Sequence, residues 1–330
     1  MWPPIRIFHN FPPTYRRRSR RSRRSPYRFL SAGLLLLALV LAVVLVDRGL
    51  SQPKAVRAAP PRGAAAAAPK PAPAAASAQL AVAGLDPSAC RSYPPTSGDL
   101  GKTVFLDPGH GGADPGAVGV SAGSQVLEKD ATLAVATQLA TILRGSGYRV
   151  VLARTQDTMV TQVTDADLDQ GSLRASSERR DLLARVACAN ASGASALLSI
   201  HFNGFDDPSV GGAQVIYDAA RPFAAQNQRL AQLSQAELVK ALGVDDRGTL
   251  TDDQLNAPAL TDAGSSYGHL IELGPAQPGW LDQPTIMPGA LAEPLFVTNP
   301  QEAQLITGAV GQRRVAGALA AAMTQFLEKP

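Results

Sequence analysis

The sequence predicts an α/β domain with a mainly parallel, twisted sheet flanked by helices, preceded by a transmembrane helix and a disordered linker. Apolar strand-like runs alternate with helical periodicity after residue 90, an uncharged apolar run lies at 29–46, and an Ala/Pro-rich stretch separates the two. Strands that alternate with helices are typical of a parallel sheet covered by helices. The 330 residues provide enough chain for one sizeable domain plus these appendages.

The basic charge of the chain is concentrated at its N-terminus. Residues 1–79 hold 14 Lys and Arg and a single acid, Asp47. Because these cations are followed by the apolar run 29–46, we expect a membrane segment and no nucleic-acid partner. A helix of this length spans roughly 27 Å, close to the thickness of a bilayer core. The positive-inside rule leaves residues 1–28 in the cytoplasm and the C-terminal domain outside.

The membrane segment has two interpretations. We expect an uncleaved anchor at 29–46, and therefore a single-pass membrane protein, because the basic lead is long for a signal peptide. A cleaved signal followed by secretion is the alternative. Residues 47–89 form the predicted linker, whose Ala/Pro-rich composition cannot bury a core. Residues 90–330 form the predicted folded domain.

The two cysteines, Cys90 and Cys188, both fall in this domain. We expect a disulfide between them, which export from the cytoplasm permits. Two buried free thiols are the alternative.

The elements of the domain follow from the periodicity of its apolar residues. We predict strands at 104–106, 149–153, 196–200, 212–217, 269–273 and 289–297. We predict helices at 128–145, 176–190, 222–242, 301–307 and 312–327. Polar stretches without periodicity, at 156–174 and 245–268, are predicted loops.

Two of the four histidines follow apolar strands. The first strand runs into a glycine-rich turn, residues 107–112, which displays His110 over a cleft. His201 directly follows the strand 196–200. Active sites in open parallel sheets lie beyond the strand ends, and two histidines placed there favour a metal site over an incidental turn.

The motifs around these histidines resemble those of one family. They read LDPGHGG-x-D-x-GA-x-G from Leu106, then Glu128-Lys129, Arg185-x-x-x-Ala189-Asn190 and Ser199-Ile200-His201-Phe202-Asn203. In this order they are similar to the zinc-dependent N-acetylmuramoyl-L-alanine amidases of the amidase_3 type, over about residues 102–326. The resemblance implies a peptidoglycan hydrolase of the bacterial cell wall. Such an enzyme cleaves the amide bond between N-acetylmuramic acid and the L-alanine of the stem peptide.

The resemblance also implies a ligand set. His110, Glu128 and His201 would bind a zinc ion and leave its fourth position to water. Two neutral imidazoles and one carboxylate leave the ion a net positive charge, which lowers the pKa of water and polarises the amide carbonyl.

Amide hydrolysis also requires a group that moves a proton from water to the leaving nitrogen. Glu272 and Glu293 are the two candidates. Glu293 lies in a segment similar to the family pattern P-x-x-L-x-E-x-x-F-x-x-N-x-x-E, so the resemblance favours Glu293 as the catalytic acid/base. Pro294 and Leu295 depart from the apolar residue and glycine that are more usual there. We interpret Glu272 as an acid paired with an arginine.

Three other polar residues receive structural interpretations. Asp107 and Asp114 flank His110, and we expect them to fix the turn by accepting backbone hydrogen bonds rather than to bind metal. His269 is interpreted as structural or exposed.

Two alternative functions are considered beside the amidase. One is a catalytically silent wall-binding or scaffold protein on the same fold, and the other is a zinc peptidase that acts within the stem peptide. We expect a monomer that acts on peptidoglycan, and an unidentified activator from cell division or wall remodelling is left open.

Overall fold

Short apolar runs of the chain form the centre of the domain. The computed structural model describes residues 77–255 and 258–328. Its strands are β1 (Ala78–Gln79), β2 (Arg91–Tyr93), β3 (Thr103–Pro108), β4 (Val118–Ser121), β5 (Ser124–Leu127), β6 (Arg149–Leu152), β7 (Leu168–Asp169), β8 (Ser172–Leu173), β9 (Ala196–Ile200), β10 (Ala213–Tyr217), β11 (Asp246–Thr251) and β12 (Gly289–Glu293). Its helices are α1 (Glu128–Gly145), α2 (Ala175–Ser192), α3 (Ala224–Leu242), α4 (Pro300–Thr307) and α5 (Ala309–Glu328).

Eight of these strands form one sheet, in the order β1-β2-β6-β3-β9-β12-β10-β11. The four pairings β6–β3, β3–β9, β9–β12 and β10–β11 are parallel, whereas β12–β10 and the two pairings at the β1 edge are antiparallel. The α/β class and the mainly parallel sheet of the sequence prediction are therefore confirmed. β4–β5 and β7–β8 form two small hairpins outside the sheet.

Alternate residues of the central strands face opposite sides of the sheet, as the twofold period of a strand requires. In β3, Val104 and Leu106 belong to the larger apolar core, which also contains buried residues of α1, α3 and α5. Phe105 belongs to the core on the other face, together with Cys188 of α2. Both faces are thus covered, and the ends of the central strands are left as the place for a site.

Two helices illustrate how local sequence sets the boundaries. α1 begins with Glu128 and Asp130 in its first turn and carries Arg144 in its last, which suits the helix dipole at both ends. α4 begins after Asn299, whose side chain accepts hydrogen bonds from two backbone N–H groups of the first turn. Pro300 at the first helical position removes a donor that would have no intrahelical partner.

Three predicted segments differ in kind from the structure. The predicted loop 245–268 contains β11, a polar edge strand that pairs in parallel with β10 across an irregular register. Its residues are mostly half-buried, so apolar alternation does not mark it. The predicted strand 269–273 is a turn instead, because its apolar residues are buried by packing rather than by strand pairing. The predicted loop 156–174 includes a short 3-10 turn and the β7–β8 hairpin.

The folded chain begins before the predicted domain boundary at residue 90. β1 pairs with β2, and Leu85 and Ala89 are buried in the core. Residues 77–89 of the predicted linker therefore belong to the domain. The expected cytoplasmic tail, the membrane segment 29–46 and the rest of the linker lie outside the described residues. Within the described ranges, no helix is both long and apolar enough to cross a membrane.

A disulfide joins the N-terminal segment to α2. Cys90 and Cys188 are bonded, with a Cα–Cα distance of 5.7 Å and a sequence separation of 98 residues. Both cysteines are fully buried, so the bridge lies within the core beside β3 and β6. The disulfide expected from the sequence is thus present, and the alternative of two free thiols is wrong.

Removal of this bridge should lower the stability of the domain. A loop of this size corresponds to about 4–5 kcal/mol in the chain-entropy model, because the crosslink restricts the unfolded chain. We expect urea unfolding to show a loss of about 4 kcal/mol for the Cys90→Ala/Cys188→Ala double variant. Reductant should lower the wild type to the same level and leave the variant unchanged. Two reactive thiols in denatured, unreduced, exported protein would contradict the bridge.

Candidate metal centre

Two neighbouring strands bring together His110, in the glycine-rich turn, and His201, which follows β9. β3 and β9 are parallel, and Pro108 pairs with Ile200 at their C-terminal ends. His201 follows Ile200 directly, and His110 lies two residues beyond Pro108. Both side chains therefore occupy the same edge of the sheet, where parallel α/β sheets place their ligands.

The first residue of α1 completes the group. Glu128 Oε1 lies 3.0 Å from His110 Nε2 and 3.1 Å from His201 Nδ1, and the two imidazole nitrogens are 3.1 Å apart. All three residues are buried. The structure thus brings together the three residues that the sequence analysis selected as metal ligands.

The arrangement fits a zinc ion. Bonds of about 2.0–2.2 Å to four tetrahedral ligands place neighbouring donor atoms roughly 3.3 Å apart. The three observed separations of 3.0–3.1 Å are close to this value. Two imidazoles and one carboxylate are also a donor set that zinc uses in hydrolases. These residues could therefore hold the metal, with the fourth position left open.

Further hydrogen bonds orient these donor atoms. The ring of His110 is held by Asp114, whose Oδ2 lies 2.7 Å from His110 Nδ1, while Asp114 Oδ1 accepts from the backbone of Gly116. A carboxylate on the second imidazole nitrogen fixes the tautomer that presents Nε2 as a ligand. Glu128 accepts backbone hydrogen bonds from Ala117 and Phe202. The expected role of Asp114 in the turn is confirmed, and the residue also orients His110.

A buried arginine of α2 secures the turn that carries His110. Arg185 donates to Asp107 Oδ1 at 2.7 Å, to the carbonyl of Pro108 at 3.0 Å and to the carbonyl of His110 at 2.7 Å. Asp181, one helical turn earlier, accepts from its Nε at 2.9 Å. Although burial opposes it, the charge of Arg185 holds the pKa of Asp107 below its usual value. Asp107 therefore binds side chains, Arg185 and Ser199, and the expectation that it accepts backbone hydrogen bonds is corrected.

A second arginine, which the sequence analysis did not identify, supports the same turn. Arg154 is fully buried and donates to the carbonyls of Pro108, Gly109 and Lys129, as well as to the hydroxyl of Thr132. It follows β6 without a recognisable motif, so only the fold shows its role. Together with Arg185 it satisfies the carbonyl groups of an irregular segment that the sheet cannot satisfy.

Close packing in the turn limits which residues can occupy it. His110 has φ of 61°, in the left-handed region that is rare for residues with a Cβ. A Cβ on Gly109 would lie 2.3 Å from the ring of His201. A Cβ on Gly116, whose φ is +65°, would lie 2.6 Å from both Glu128 Oε2 and the ring of His110. The glycines therefore allow the ligands to approach one another.

Glu293 lies beside this group, at the end of β12. β12 is parallel to β9, and the backbone N–H of His201 donates to the carbonyl of Ala292. The Glu293 side chain is buried, and its Oε2 has no hydrogen-bond partner among the described residues. Burial, together with the Glu128 carboxylate, raises the pKa of Glu293 well above its usual value. A buried carboxyl group of this kind is suited to carrying a proton.

Glu272 lines the same pocket as His201 and Glu293. It also borders the adjacent pocket that contains His110 and Arg185. The charges of Asp107 and Asp181, and after them that of Glu272, raise the pKa of Arg185. The interpretation of Glu272 as an acid paired with an arginine stays a prediction. Both glutamates that the sequence analysis compared are therefore close to the candidate metal centre.

Comparison with known proteins gives a consistent result. The sequence model of the Amidase_3 family, described as N-acetylmuramoyl-L-alanine amidase, matches residues 104–325. The germination-specific N-acetylmuramoyl-L-alanine amidase of Bacillus subtilis is 34% identical over 221 residues, which cover 66% of this chain and 77% of that protein. The N-acetylmuramoyl-L-alanine amidase AmiA of Salmonella typhimurium is 30% identical over 237 residues, which cover 66% and 74%.

A solved structure shows the same fold. The crystal structure of an N-acetylmuramoyl-L-alanine amidase from Clostridium difficile 630 superposes with a TM-score of 0.50 at 27% identity. The match covers 71% of this chain and 99% of that one.

The close approach at Gly116 yields a matched pair of substitutions. Gly116→Ala places a methyl group against two candidate ligands, so we expect this variant to lose most of the metal bound by His110, Glu128 and His201. Gly123 also has positive φ, at +81°, but nothing lies within 4 Å of the position of its Cβ. Gly123→Ala should cost only about 1–2 kcal/mol from the backbone conformation and keep its metal. Metal analysis and urea unfolding of both variants measure the difference, and equal metal content would contradict the proposed crowding.

Proposed function

The chain belongs to the Amidase_3 family of N-acetylmuramoyl-L-alanine amidases, and we propose that His110, Glu128 and His201 hold the zinc ion of its active site. The enzyme is a peptidoglycan hydrolase that cleaves the amide bond between N-acetylmuramic acid and the L-alanine of the stem peptide. The observation that supports the zinc proposal is the convergence of three buried donor atoms at 3.0–3.1 Å, beside a buried carboxyl group. When bound there, zinc lowers the pKa of water and polarises the scissile carbonyl.

The chain's own residues supply orientation. Asp114 and the backbone groups that donate to Glu128 hold two of the three ligands in fixed directions. Arg185 fixes the backbone at His110 by its bond to the His110 carbonyl. Because these contacts are buried, the ligand geometry is set before the substrate arrives.

We assign the proton transfer to Glu293. Its position beside His201 supports a role in which its carboxylate form takes a proton from the attacking water. Its raised pKa supports the second half of the transfer, in which the protonated carboxyl group delivers that proton to the leaving nitrogen. Oε2 is available for this exchange, since no described residue donates a hydrogen bond to it. Glu272 borders the same pocket, but its charge also contributes to the raised pKa of Arg185. We therefore assign Glu272 a structural and electrostatic role.

Three glutamine variants separate these roles. Glu293→Gln should keep its zinc and its fold but release muropeptides at least about a hundredfold more slowly, because it cannot carry the proton. Glu272→Gln should keep substantial activity and change mainly stability. Glu128→Gln should bind zinc more weakly, since an amide is a poorer ligand than a carboxylate. Zinc content, circular dichroism and muropeptide release are measured for each variant.

Controls connect these measurements to the reaction. Chelation should abolish wild-type activity and added zinc should restore it. Mass spectrometry of the released peptides should show a free L-alanine N-terminus, whereas a peptidase would cut within the stem. A folded, zinc-loaded and inactive Glu272→Gln variant would transfer the proton role to Glu272. A folded, zinc-loaded wild type without activity on peptidoglycan would favour the silent wall-binding alternative.

We propose further that residues 29–46 anchor the enzyme in the membrane, with the domain on the outer side. The basic residues before the apolar run support this orientation. The disulfide in the core suits an oxidising compartment outside the cytoplasm. Peptidoglycan, the substrate, also lies on that side. The monomeric state and an activator from division or wall remodelling stay predictions.

Fractionation tests the anchor. We expect the intact chain in the membrane fraction, and protease added to spheroplasts should remove its domain while a cytoplasmic marker survives. An N-terminal sequence that starts after residue 46, on protein recovered from the medium, would show that the leader is cleaved and the enzyme secreted.

A further inference from the structure

A second group of potential ligands lies at another pair of strand ends. β10 and β11 are parallel, and Tyr217 pairs with Thr251. Asp218 and Asp252 therefore follow at the same level of two neighbouring strands, as the residues after β3 and β9 do at the first centre. His269, from the turn that replaces the predicted strand 269–273, packs against both carboxylates.

The two distances from the imidazole in this group are close to those of the first centre. His269 Nδ1 lies 3.3 Å from Asp218 Oδ2 and 3.2 Å from Asp252 Oδ1. The three potential donor atoms all lie within 4.8 Å of one another. Metal bonds of about 2.0–2.2 Å in tetrahedral geometry produce separations of roughly 3.3 Å. The group is thus of the right size for one divalent ion.

The remaining hydrogen bonds direct the same three atoms inward. Asp218 Oδ1 accepts from the backbone of Ala220, and Asp252 Oδ2 accepts from the backbone of Leu270. These bonds leave Asp218 Oδ2, Asp252 Oδ1 and His269 Nδ1 facing one another. The imidazole nitrogen carries at most one hydrogen, so it cannot satisfy both oxygens. Asp218 Oδ2 has no hydrogen-bond partner among the described residues.

The charges in this group are also poorly balanced without a cation. Asp218 is 0% exposed and Asp252 is 1% exposed. Arg221 lies near Asp218, but its guanidinium donates to the Leu273 carbonyl and the Thr285 hydroxyl instead. Two buried carboxylates that share a single imidazole are costly unless a further cation lies between them.

We propose that Asp218, Asp252 and His269 form a second zinc site, distinct from the catalytic centre. One imidazole and two carboxylates suit zinc better than magnesium or calcium, which prefer all-oxygen sites. His269 and Leu270 line the pocket that contains His201 and Glu293. The ion would therefore link His269, which lines the active-site pocket, to the ends of β10 and β11. Its role is structural, because the catalytic residues are all supplied by the first centre.

Zinc binding to the full-length chain tests this proposal. The wild type should hold two zinc ions per chain. The His110→Ala/His201→Ala variant removes the first centre and should keep one. Adding His269→Gln to that variant should remove the remaining ion. Zinc should raise the melting temperature of the His110→Ala/His201→Ala chain by about 5 °C or more at a hundredfold excess over Kd, and should not do so after His269→Gln.

Asp253, the neighbour of Asp252 in the sequence, provides the matched control. Asp253 follows Asp252 in the same 3-10 turn but is exposed. In an otherwise wild-type chain, Asp252→Asn should lower the zinc content from two to one, whereas Asp253→Asn should leave it at two. This comparison holds even if the double histidine variant does not fold. One zinc in the wild type, or equal zinc content in the two asparagine variants, would overturn the proposal.

Discussion

The catalytic end of the sheet depends on the buried guanidinium of Arg185. It donates to Asp107, to the Pro108 carbonyl and to the His110 carbonyl, while Asp181 of α2 accepts from its Nε. Planar guanidinium groups suit such a multiple contact because their donors point in fixed directions. The turn at His110 has a positive φ and no strand partner, so these bonds replace the pairing that ends with β3. The backbone that carries the metal ligand His110 is thus fixed by α2, a helix on the face of the sheet opposite to α1.

Parallel pairing explains why ligands meet at two places. Neighbouring parallel strands that end at the same level deliver their next residues to one point, irrespective of their distance in sequence. β3 and β9 do this for the histidines of the catalytic centre, and β10 and β11 do it for Asp218 and Asp252. In both cases a residue from outside the two strands completes the group, Glu128 from α1 and His269 from a turn. The zinc site proposed at the second place follows from the same geometry as the first.

The sequence predicted the elements whose burial follows a regular period. β3, β9 and α1 are continuous apolar or amphipathic segments, and the structure has them close to the expected bounds. β11 was missed because an edge strand with half-buried polar residues has no apolar alternation. The segment 269–273 has the composition of a strand, yet it forms a turn whose apolar residues are buried by packing. The backbone N–H of Leu270 in this turn donates to the Asp252 carboxylate. The spacing of apolar residues indicates which residues are buried. It does not show whether a buried segment is a paired strand or a packed turn.

In the site, too, some residues could be predicted from the sequence, whereas others are recognised only in the folded structure. His110, Glu128 and His201 were selected from residue type, position at strand and helix ends, and a motif order shared with a family. Arg154 belongs to no such motif, since its bonds to three carbonyls and a hydroxyl exist only once β3, β6 and α1 are packed. The choice between Glu272 and Glu293 shows why proximity is insufficient, because both line one pocket. The two glutamates differ in the charge around them. Glu272 is one of the carboxylates whose charge raises the pKa of the cation Arg185. Glu293 is buried near the carboxylate of Glu128, and this environment favours the protonated form of Glu293.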